Sequence, residues 1–482
     1  MTSPVRVVLR WSVSGVIALV FLVLMSSSTS FFHTVYGGDA AIFRVIGSAM
    51  QHGQELYVDV WDHKGPTLFF IEWLAQTIHQ GRIGLFILQT VGLTVSLALI
   101  ASIARRFTTA LGTVGVIALV LAVLTFTFEG GNLSEEFSLP FIVFVLYGAV
   151  RALDDKTSQG VRDVVLFAGM GAAFAFVFFI RANNAMPIAG IFAGLLVQLI
   201  LRHRPFVKRF VVAILGFLGL TAVIILWFAL RGTLQDMLNA TFWFNLLYVE
   251  DASIRPKVAA YIGTVVFAAA LTLAGIIAQL LRHGARRSTW MVGLGLGIGS
   301  SYAVLAPTTS YAHYLTLILP MIAFGAVMLL DALRGWMHTV IALILVLAST
   351  AVAADQVPKA IHASGAIHAA EAAYEAELLD VLSVVPEDQR GEVFPWSLPA
   401  TFYLMTDTLP SYKYFITQPW WGSVDPQVVK DSVAHIAQTR PQWVLAPASG
   451  VSNDDLQALL DRDYHLARSN DRFALYELND AG

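Results

Sequence analysis

Eleven stretches of 16–25 mostly apolar residues recur along the 482-residue sequence, near 11–31, 83–104, 111–128, 138–153, 164–180, 185–201, 211–230, 259–281, 291–306, 314–330 and 336–354. A helix of about 20 such residues crosses a hydrocarbon core of ~30 Å. The pattern therefore predicts an α-helical polytopic membrane protein with about eleven transmembrane helices. Composition agrees: 57% of residues are hydrophobic and 13% charged, against roughly 45–50% and about 25% in ordinary soluble chains. A cytosolic enzyme, a secreted domain and a DNA-binding module are all excluded. The first run follows Arg6 and Arg10 but lacks an Ala-x-Ala cleavage site, so it is expected to remain as an anchor.

The net charge of −3 hides a strong division. Up to Ala354 the chain carries 22 Lys and Arg against 15 Asp and Glu, and from Asp355 onward 8 against 18. The predicted domains are accordingly a membrane body, 1–354, and an acidic tail, 355–482. Basic residues crowd every second connection: Arg105 and Arg106; Arg151, Lys156 and Arg162; Arg202, Arg204, Lys208 and Arg209; Arg282, Arg286 and Arg287; and Arg334. The positive-inside rule then predicts a cytoplasmic N-terminus and, with an odd number of spans, an extracytoplasmic tail. That rule says little about acids, yet eight of them gather in the first two outer loops: Asp39, Glu55, Asp59, Asp62, Glu72, Glu129, Glu135 and Glu136.

The first outer loop, 32–82, is long and not a polar linker. Residues 39–50 place Ile42, Val45, Ile46, Ala49 and Met50 on one helical face, with Arg44, Ser48 and Gln51 away from it. This predicts an amphipathic helix at the membrane interface. Pro66 is suited to open a second short helix over 67–78. The aromatic segment 234–249 predicts a further interfacial helix. The tail alternates helical and strand patterns, predicting a small soluble α/β domain. There is no cysteine, hence no disulfide, thiolate metal site or Cys nucleophile. No P-loop, GxGxxG, GxSxG or HExxH occurs, so no nucleotide cofactor and no nucleic-acid partner are expected.

Several polar residues stand where spans meet the outer face. Asp39 suits a helix N-cap and equally a general base that activates an acceptor hydroxyl. Asp59, Asp62, His63 and Lys64 lie together beside the Gly65–Pro66 turn. Lys64 is placed to hold a phosphate as a point charge, and His63 to ligate a metal or bond a phosphate oxygen. Ser134 can cap the helix that follows, with Glu135 and Glu136 complementing its dipole. The two glutamates can also hold sugar hydroxyls, or complete a divalent-cation site (Mg or Mn) with Asp39 and His63. Arg181, beside Asn183 and Asn184, and His313, beside Tyr314, are candidates for phosphate contact, although an arginine at this depth also snorkels.

The order of these elements resembles the GT-C glycosyltransferases, within them bacterial members related to protein O-mannosyltransferases and the lipid A aminoarabinose transferase. The resemblance rests on Gly38-Asp39 opening an amphipathic helix, on Tyr57-x-Asp-x-Trp-Asp-His-Lys-Gly-Pro66, on Glu129-Gly-Gly-Asn-Leu-Ser-Glu-Glu136, and on Tyr311-Ala-His-Tyr314. It covers the membrane body. It implies an inverting enzyme of the bacterial plasma membrane, moving a sugar from a polyprenyl-phosphate donor to an extracytoplasmic glycan, lipid or protein. Asp39 matches the family's catalytic carboxylate and Lys64 its carrier-phosphate cation; Arg181 and His313 remain candidates for contact with the carrier phosphate on their own position. Two departures stand out: Ala40 follows Asp39 where many relatives pair two acids, and Gly65 separates Lys64 from Pro66. A second acid, for catalysis or for the sugar and acceptor, would then come from Asp59, Asp62, Glu135 or Glu136. The competing functions are a lipid or sugar transporter or flippase, and a non-catalytic envelope-assembly protein. A transporter predicts ionisable groups at mid-membrane, whereas the charges here cluster at the ends of spans.

Overall fold

The computed structural model describes residues 4–153, 160–250, 261–307 and 311–479, and of residues 248–250 the backbone alone. Asp154, Asp155 and Lys156, the start of the eighth apolar run and residues 308–310 lie outside the described residues. The chain is 76% helical. Its helices are α1 (Pro4–Met25), α2 (Asp39–Gln51), α3 (Pro66–Ile78), α4 (Ile83–Phe107), α5 (Ala110–Thr127), α6 (Ser134–Ala152), α7 (Val161–Phe178), α8 (Met186–Leu201), α9 (Val207–Arg231), α10 (Leu234–Leu238), α11 (Phe244–Glu250), α12 (Ile262–Arg287), α13 (Trp290–Leu305), α14 (Leu319–Ala332), α15 (Gly335–Val381), α16 (Thr401–Thr406), α17 (Gln418–Val424), α18 (Pro426–Thr439) and α19 (Asp454–Asp463).

This is a polytopic membrane protein with a small α/β portion near its C-terminus. Among the described residues nine helical segments are long and apolar enough to cross a membrane. The other two expected spans also form helices. One is α6, with Glu135, Glu136 and Arg151 in its end turns; the other is α13, at 16 residues. The boundary expected at residue 354 falls inside α15, which runs for 47 residues with Pro358 in its interior.

The chain forms two compact units. The first comprises residues 1–26, 86–230 and 253–362, and holds α1, α4–α9, α12–α14 and the start of α15. Its helices meet through glycine. Gly190 and Gly194 of α8 face Gly295 and Gly299 of α13, and a Cβ on any of them would overlap backbone of the opposite helix. Gly171 and Gly216 bring α7 and α9 together in the same way, and Gly275 brings α12 to the Gly325 carbonyl of α14. Lipid is as apolar as leucine, so helices in a bilayer associate by such close backbone approach.

The second unit comprises residues 27–85, 231–252 and 363–482. α2 and α3 pack so closely that a Cβ on Gly47 would strike the Glu72 side chain. α2 is buried on most sides, and Arg44, expected on a polar face, is only 8% exposed. Burial lowers its pKa, opposed by the neighbouring Glu72 carboxylate. The apolar stripe of α2 is as expected, but Arg44, expected on its polar side, is covered too. Segment 234–250 is not one regular helix. A single π-turn, Asn239–Trp243, separates α10 from α11. In the C-terminal portion, β1 (Val393–Pro395) pairs in parallel with β2 (Trp443–Pro447). The latter pairs antiparallel with β4 (Phe473–Leu478), and β4 with the edge strand β3 (Tyr464–Ser469). Phe394, Trp396, Ile436, Val444 and Leu460 form the core there.

The α8–α13 contact leads to a prediction. Gly295→Val inserts a branched side chain where the Gly190 backbone lies, an overpacking expected to cost about 1–3 kcal/mol. Its melting temperature in detergent should fall below that of the wild type. An unchanged value would mean that these two backbones need not approach.

Candidate active site

In the second unit the charged residues of the first long loop converge on Lys64. Its Nζ stands 3.6 Å from Asp39 Oδ2 and 3.7 Å from Asp62 Oδ1, and 5.2 Å from the centre of the Phe43 ring. Asp39 is the first residue of α2. The cap position falls on Gly38, without a side-chain hydrogen bond. The N-cap reading therefore moves by one residue, and the carboxylate sits in the first turn, where the helix dipole favours negative charge.

Asp62 is fully buried. Its Oδ1 accepts the Lys64 backbone N–H at 2.9 Å, and His63 Nδ1 lies 3.7 Å from the same oxygen. Burial pushes the Asp62 carboxyl above the ordinary carboxylate range; the Lys64 ammonium and the Lys64 N–H pull it partly back. Pro66 opens α3 immediately beyond, as expected.

The loop backbone is held from all sides. Tyr57 takes a left-handed conformation, φ +71°, which costs an aromatic residue on the order of 1–3 kcal/mol. It donates its phenolic hydrogen to the Lys64 carbonyl at 2.7 Å. Asn245, just beyond the π-turn, donates to the His63 carbonyl at 2.7 Å. Trp61 meets Phe244, Tyr414 and Trp421 edge-on at 4.8, 5.4 and 5.0 Å. The His63 ring lies 5.2 Å from that of Trp421. Asp59 stands apart from this group: it is exposed and closes a turn by accepting the Glu55 N–H at 2.7 Å.

A second polar network lies in the first unit. Glu129, Gly130, Gly131 and Asn132 all take positive φ, turning the chain sharply between α5 and α6. Leu133 is the cap position of α6, with no side-chain bond, so Ser134 does not cap it. Glu136 turns back on the loop instead: its Oε2 accepts the Asn132 N–H at 2.8 Å and Gln89 Nε2 at 3.1 Å. The buried Glu135 accepts Arg181 Nη1 at 3.1 Å, and Arg181 Nη2 donates to the Tyr314 hydroxyl at 2.8 Å. His313 Nδ1 meets Glu129 Oε2 at 2.5 Å and its Nε2 lies 3.9 Å from Glu135. Tyr311 stacks on the His313 ring. Burial raises the Glu129 carboxyl, but hydrogen bonds from the His313 side chain and from the backbone of 312–313 outweigh it, leaving the pKa lowered.

Four of the candidate residues thus come together around Lys64 (Asp39, Asp62, His63 and Lys64 itself), and three more around Glu135 (Arg181, His313 and Glu135 itself). Glu136 is engaged with its own loop. The sequence alone does not point to Asn245, Trp421 or Gln89, whose partners lie elsewhere in the chain and are joined only by the fold. Among the described residues no group of three or more His, Asp and Glu side chains is arranged to hold a metal ion.

No protein-family model matches the sequence, and no curated protein does. Solved structures do match. ArnT from Cupriavidus metallidurans bound to undecaprenyl phosphate aligns with TM-score 0.60 at 13% identity, over 100% of this chain and 99% of that one. The same protein in the apo state gives 0.57 at 15% identity, over 99% and 98%. Oligosaccharyltransferase AglB from Archaeoglobus fulgidus, in complex with an inhibitory peptide and a dolichol-phosphate, gives 0.53 at 11% identity, over 98% of this chain and 74% of that one. The chain shares the fold of these solved structures, as the sequence resemblance implies.

Two predictions follow from the geometry. The raised Asp62 carboxyl makes the folded protein hold this proton to higher pH than the unfolded chain. Stability is therefore fullest below the ordinary carboxylate range and falls as pH rises through it toward the folded pKa. Asp62→Asn should abolish that fall in melting temperature measured from acid to neutral pH; an unaltered profile would contradict the assignment. Around Arg181, breaking one partner of a largely buried pair leaves an unmatched charge, a loss on the order of 3 kcal/mol. Arg181→Gln alone should destabilise more than Arg181→Gln combined with Glu135→Gln, and additive losses would show that the pair is not coupled.

Proposed function

We propose that the protein transfers a sugar from a polyprenyl-phosphate donor to a hydroxyl of an acceptor on the extracytoplasmic face of a bacterial plasma membrane, with inversion at the anomeric carbon. The observation that carries this reading is the Asp39–Lys64 pair: a carboxylate and an ammonium side by side in a rigidly held loop. Such a reaction needs one group to take a proton and another to receive a phosphate. The structures of similar fold that hold undecaprenyl phosphate and dolichol-phosphate support a polyprenyl carrier.

In the proposed step the donor parts the pair. Its phosphate takes up the Lys64 ammonium in exchange for Asp39, leaving the carboxylate to face the acceptor. As the acceptor oxygen bonds to the anomeric carbon, its proton passes to Asp39. The bond from that carbon to the phosphate oxygen breaks on the opposite face, and its electron pair leaves with the phosphate. Lys64 stabilises the charge that develops there. Asp62 acts on Lys64 rather than on the sugar. It anchors the Lys64 backbone N–H and sets a counter-charge behind the ammonium. The donor carries its own activated leaving group, so no nucleotide is required.

Purified protein should release free polyprenyl phosphate from one member of a panel of polyprenyl-phosphate sugars offered with candidate acceptors. Asp39→Asn should cut kcat by about 10²–10⁴-fold, the range for a lost general base, while donor KM stays close to wild type. Lys64→Gln should both raise donor KM and lower kcat, since its ammonium holds the donor phosphate and the charge that develops on it. A full rate in the Asp39 variant, or no turnover with any donor, would falsify the assignment; movement of lipid-linked sugar without transfer would favour a flippase. Chelator added to the same assay reads any metal requirement directly.

A further inference from the structure

Within the second unit, which includes the end of α15 from residue 363, the segment leading to Asp39 is fastened by a distant part of the chain. That stretch of α15 turns one stripe inward. Ser364, His368, Glu371, Glu375 and Leu378 recur at alternating intervals of four and three and are at least partly covered, whereas Ala369, Ala370, Ala372 and Ala373 are exposed. A glutamate on an alanine-rich helix ordinarily points to water. Glu371 points the other way, and both of its oxygens end on one turn of chain 335 residues earlier. Oε2 accepts the Tyr36 N–H at 2.8 Å and Oε1 the Gly37 N–H at 3.2 Å. His368, one turn before it on the same stripe, donates from Nδ1 to the Thr34 carbonyl at 2.8 Å.

The turn so held runs directly into α2. Gly37 lies at φ +74°, a conformation glycine takes without strain. A Cβ there would also come within 3.4 Å of the Ala40 Cβ. Gly38 occupies the cap position of α2 and supplies no side-chain bond, so the helix entry lacks the contact that commonly fixes it. Glu371 grips the backbone two residues before Asp39 in its place. Upstream, Arg82 donates to the Ser30 carbonyl at 3.0 Å and to the Thr34 hydroxyl at 3.4 Å. Hydrogen bonds to a carboxylate are roughly twice as strong as those between neutral groups. A base must meet its proton at close range, and a displacement of about 1 Å can cost on the order of 10²-fold in rate. The residue that sets the start of α2 therefore sets the reach of Asp39.

We propose that Glu371 is a positioning residue: its carboxylate fixes the turn at Tyr36 and Gly37 and, through it, the place of Asp39. Glu371 acts through backbone rather than on the sugar, and its effect on turnover rests on the sugar-transfer reading above. Full-length protein in detergent is compared with Glu371→Gln, which keeps the shape but only one acceptor oxygen, and with Glu371→Asp, which keeps two on a shorter stem. Amide hydrogen exchange over residues 31–43, read by mass spectrometry, needs no substrate. It should quicken by about tenfold or more in Glu371→Gln, the scale of one hydrogen bond to a charged group, and by less in Glu371→Asp. In the polyprenyl-phosphate-sugar assay, Glu371→Gln should lower kcat by about tenfold to a hundredfold, with donor KM near wild type. In the Asp39→Asn background the same change should cost no more than about twofold, because no base remains to be placed. A merely structural glutamate would cost the same in both backgrounds. That result, an unchanged kcat beside an active wild type, or unchanged exchange in Glu371→Gln would overturn the proposal. Quickened exchange in a protein that turns over no donor supports the hold on the turn and locates the failure in the sugar-transfer reading.

Discussion

Close approach of one backbone to another decides how this chain packs. Over half of the residues are hydrophobic, so burying one more leucine cannot select one helix partner over another within a bilayer. Glycine can. Between α8 and α13, α7 and α9, and α12 and α14, it lets a backbone carbonyl of one helix approach the other where a Cβ would stand in the way. Those contacts establish the frame of the first unit. The loop between α5 and α6 turns through four residues of positive φ, two of them glycines that take this conformation without strain.

With the frame set by uncharged residues, the few charges are free to be arranged for other ends. Lys64 shows the principle at its most economical. Two carboxylates hold its ammonium, one in the first turn of a helix and one fully buried, and the backbone of its loop is tied down by Tyr57 and Asn245. The Arg181 network uses the same logic elsewhere: a buried carboxylate, a guanidinium and an imidazole each take the charge or hydrogen bond the next one needs. Neither arrangement adds much net stability, since buried ion pairs lose in desolvation most of what they gain in attraction. What they provide is a defined position for each charge.

The helices were legible in the sequence because apolar length is a local property: all eleven runs form helices, and Pro66 opens α3 where proline should. The C-terminal strands β1, β2 and β4 were legible for the same reason, as each carries a short apolar run. Strand β3 was not. It is an edge strand of mostly polar residues, His465-Leu466-Ala467-Arg468-Ser469, with a register shift between Leu466 and Arg468. The candidate site was readable where its chemistry is contiguous, as in Asp62-His63-Lys64, and where a lone arginine or histidine interrupts an apolar segment. It was unreadable wherever a partner comes from a distant segment. Arg44 illustrates the limit: helical periodicity assigns it to solvent, and only the presence of α3 with Glu72 accounts for its burial.

The second unit is assembled from three stretches of chain separated by long intervals, and this bears on how the protein is made. Tyr36 and Gly37 rest their backbone N–H groups on Glu371, Gln54 donates to the Pro410 carbonyl, and Trp61 packs on Trp421. Each of these partners leaves the ribosome about 300 residues or more after the loop that needs it. At translation rates of roughly 5–20 residues per second, the Lys64 loop waits for tens of seconds with its aromatic face uncovered. During that interval the nascent loop is the segment most in need of shelter, whether by the lipid interface or by a chaperone, and synthesis of the last quarter of the chain is what ends the wait.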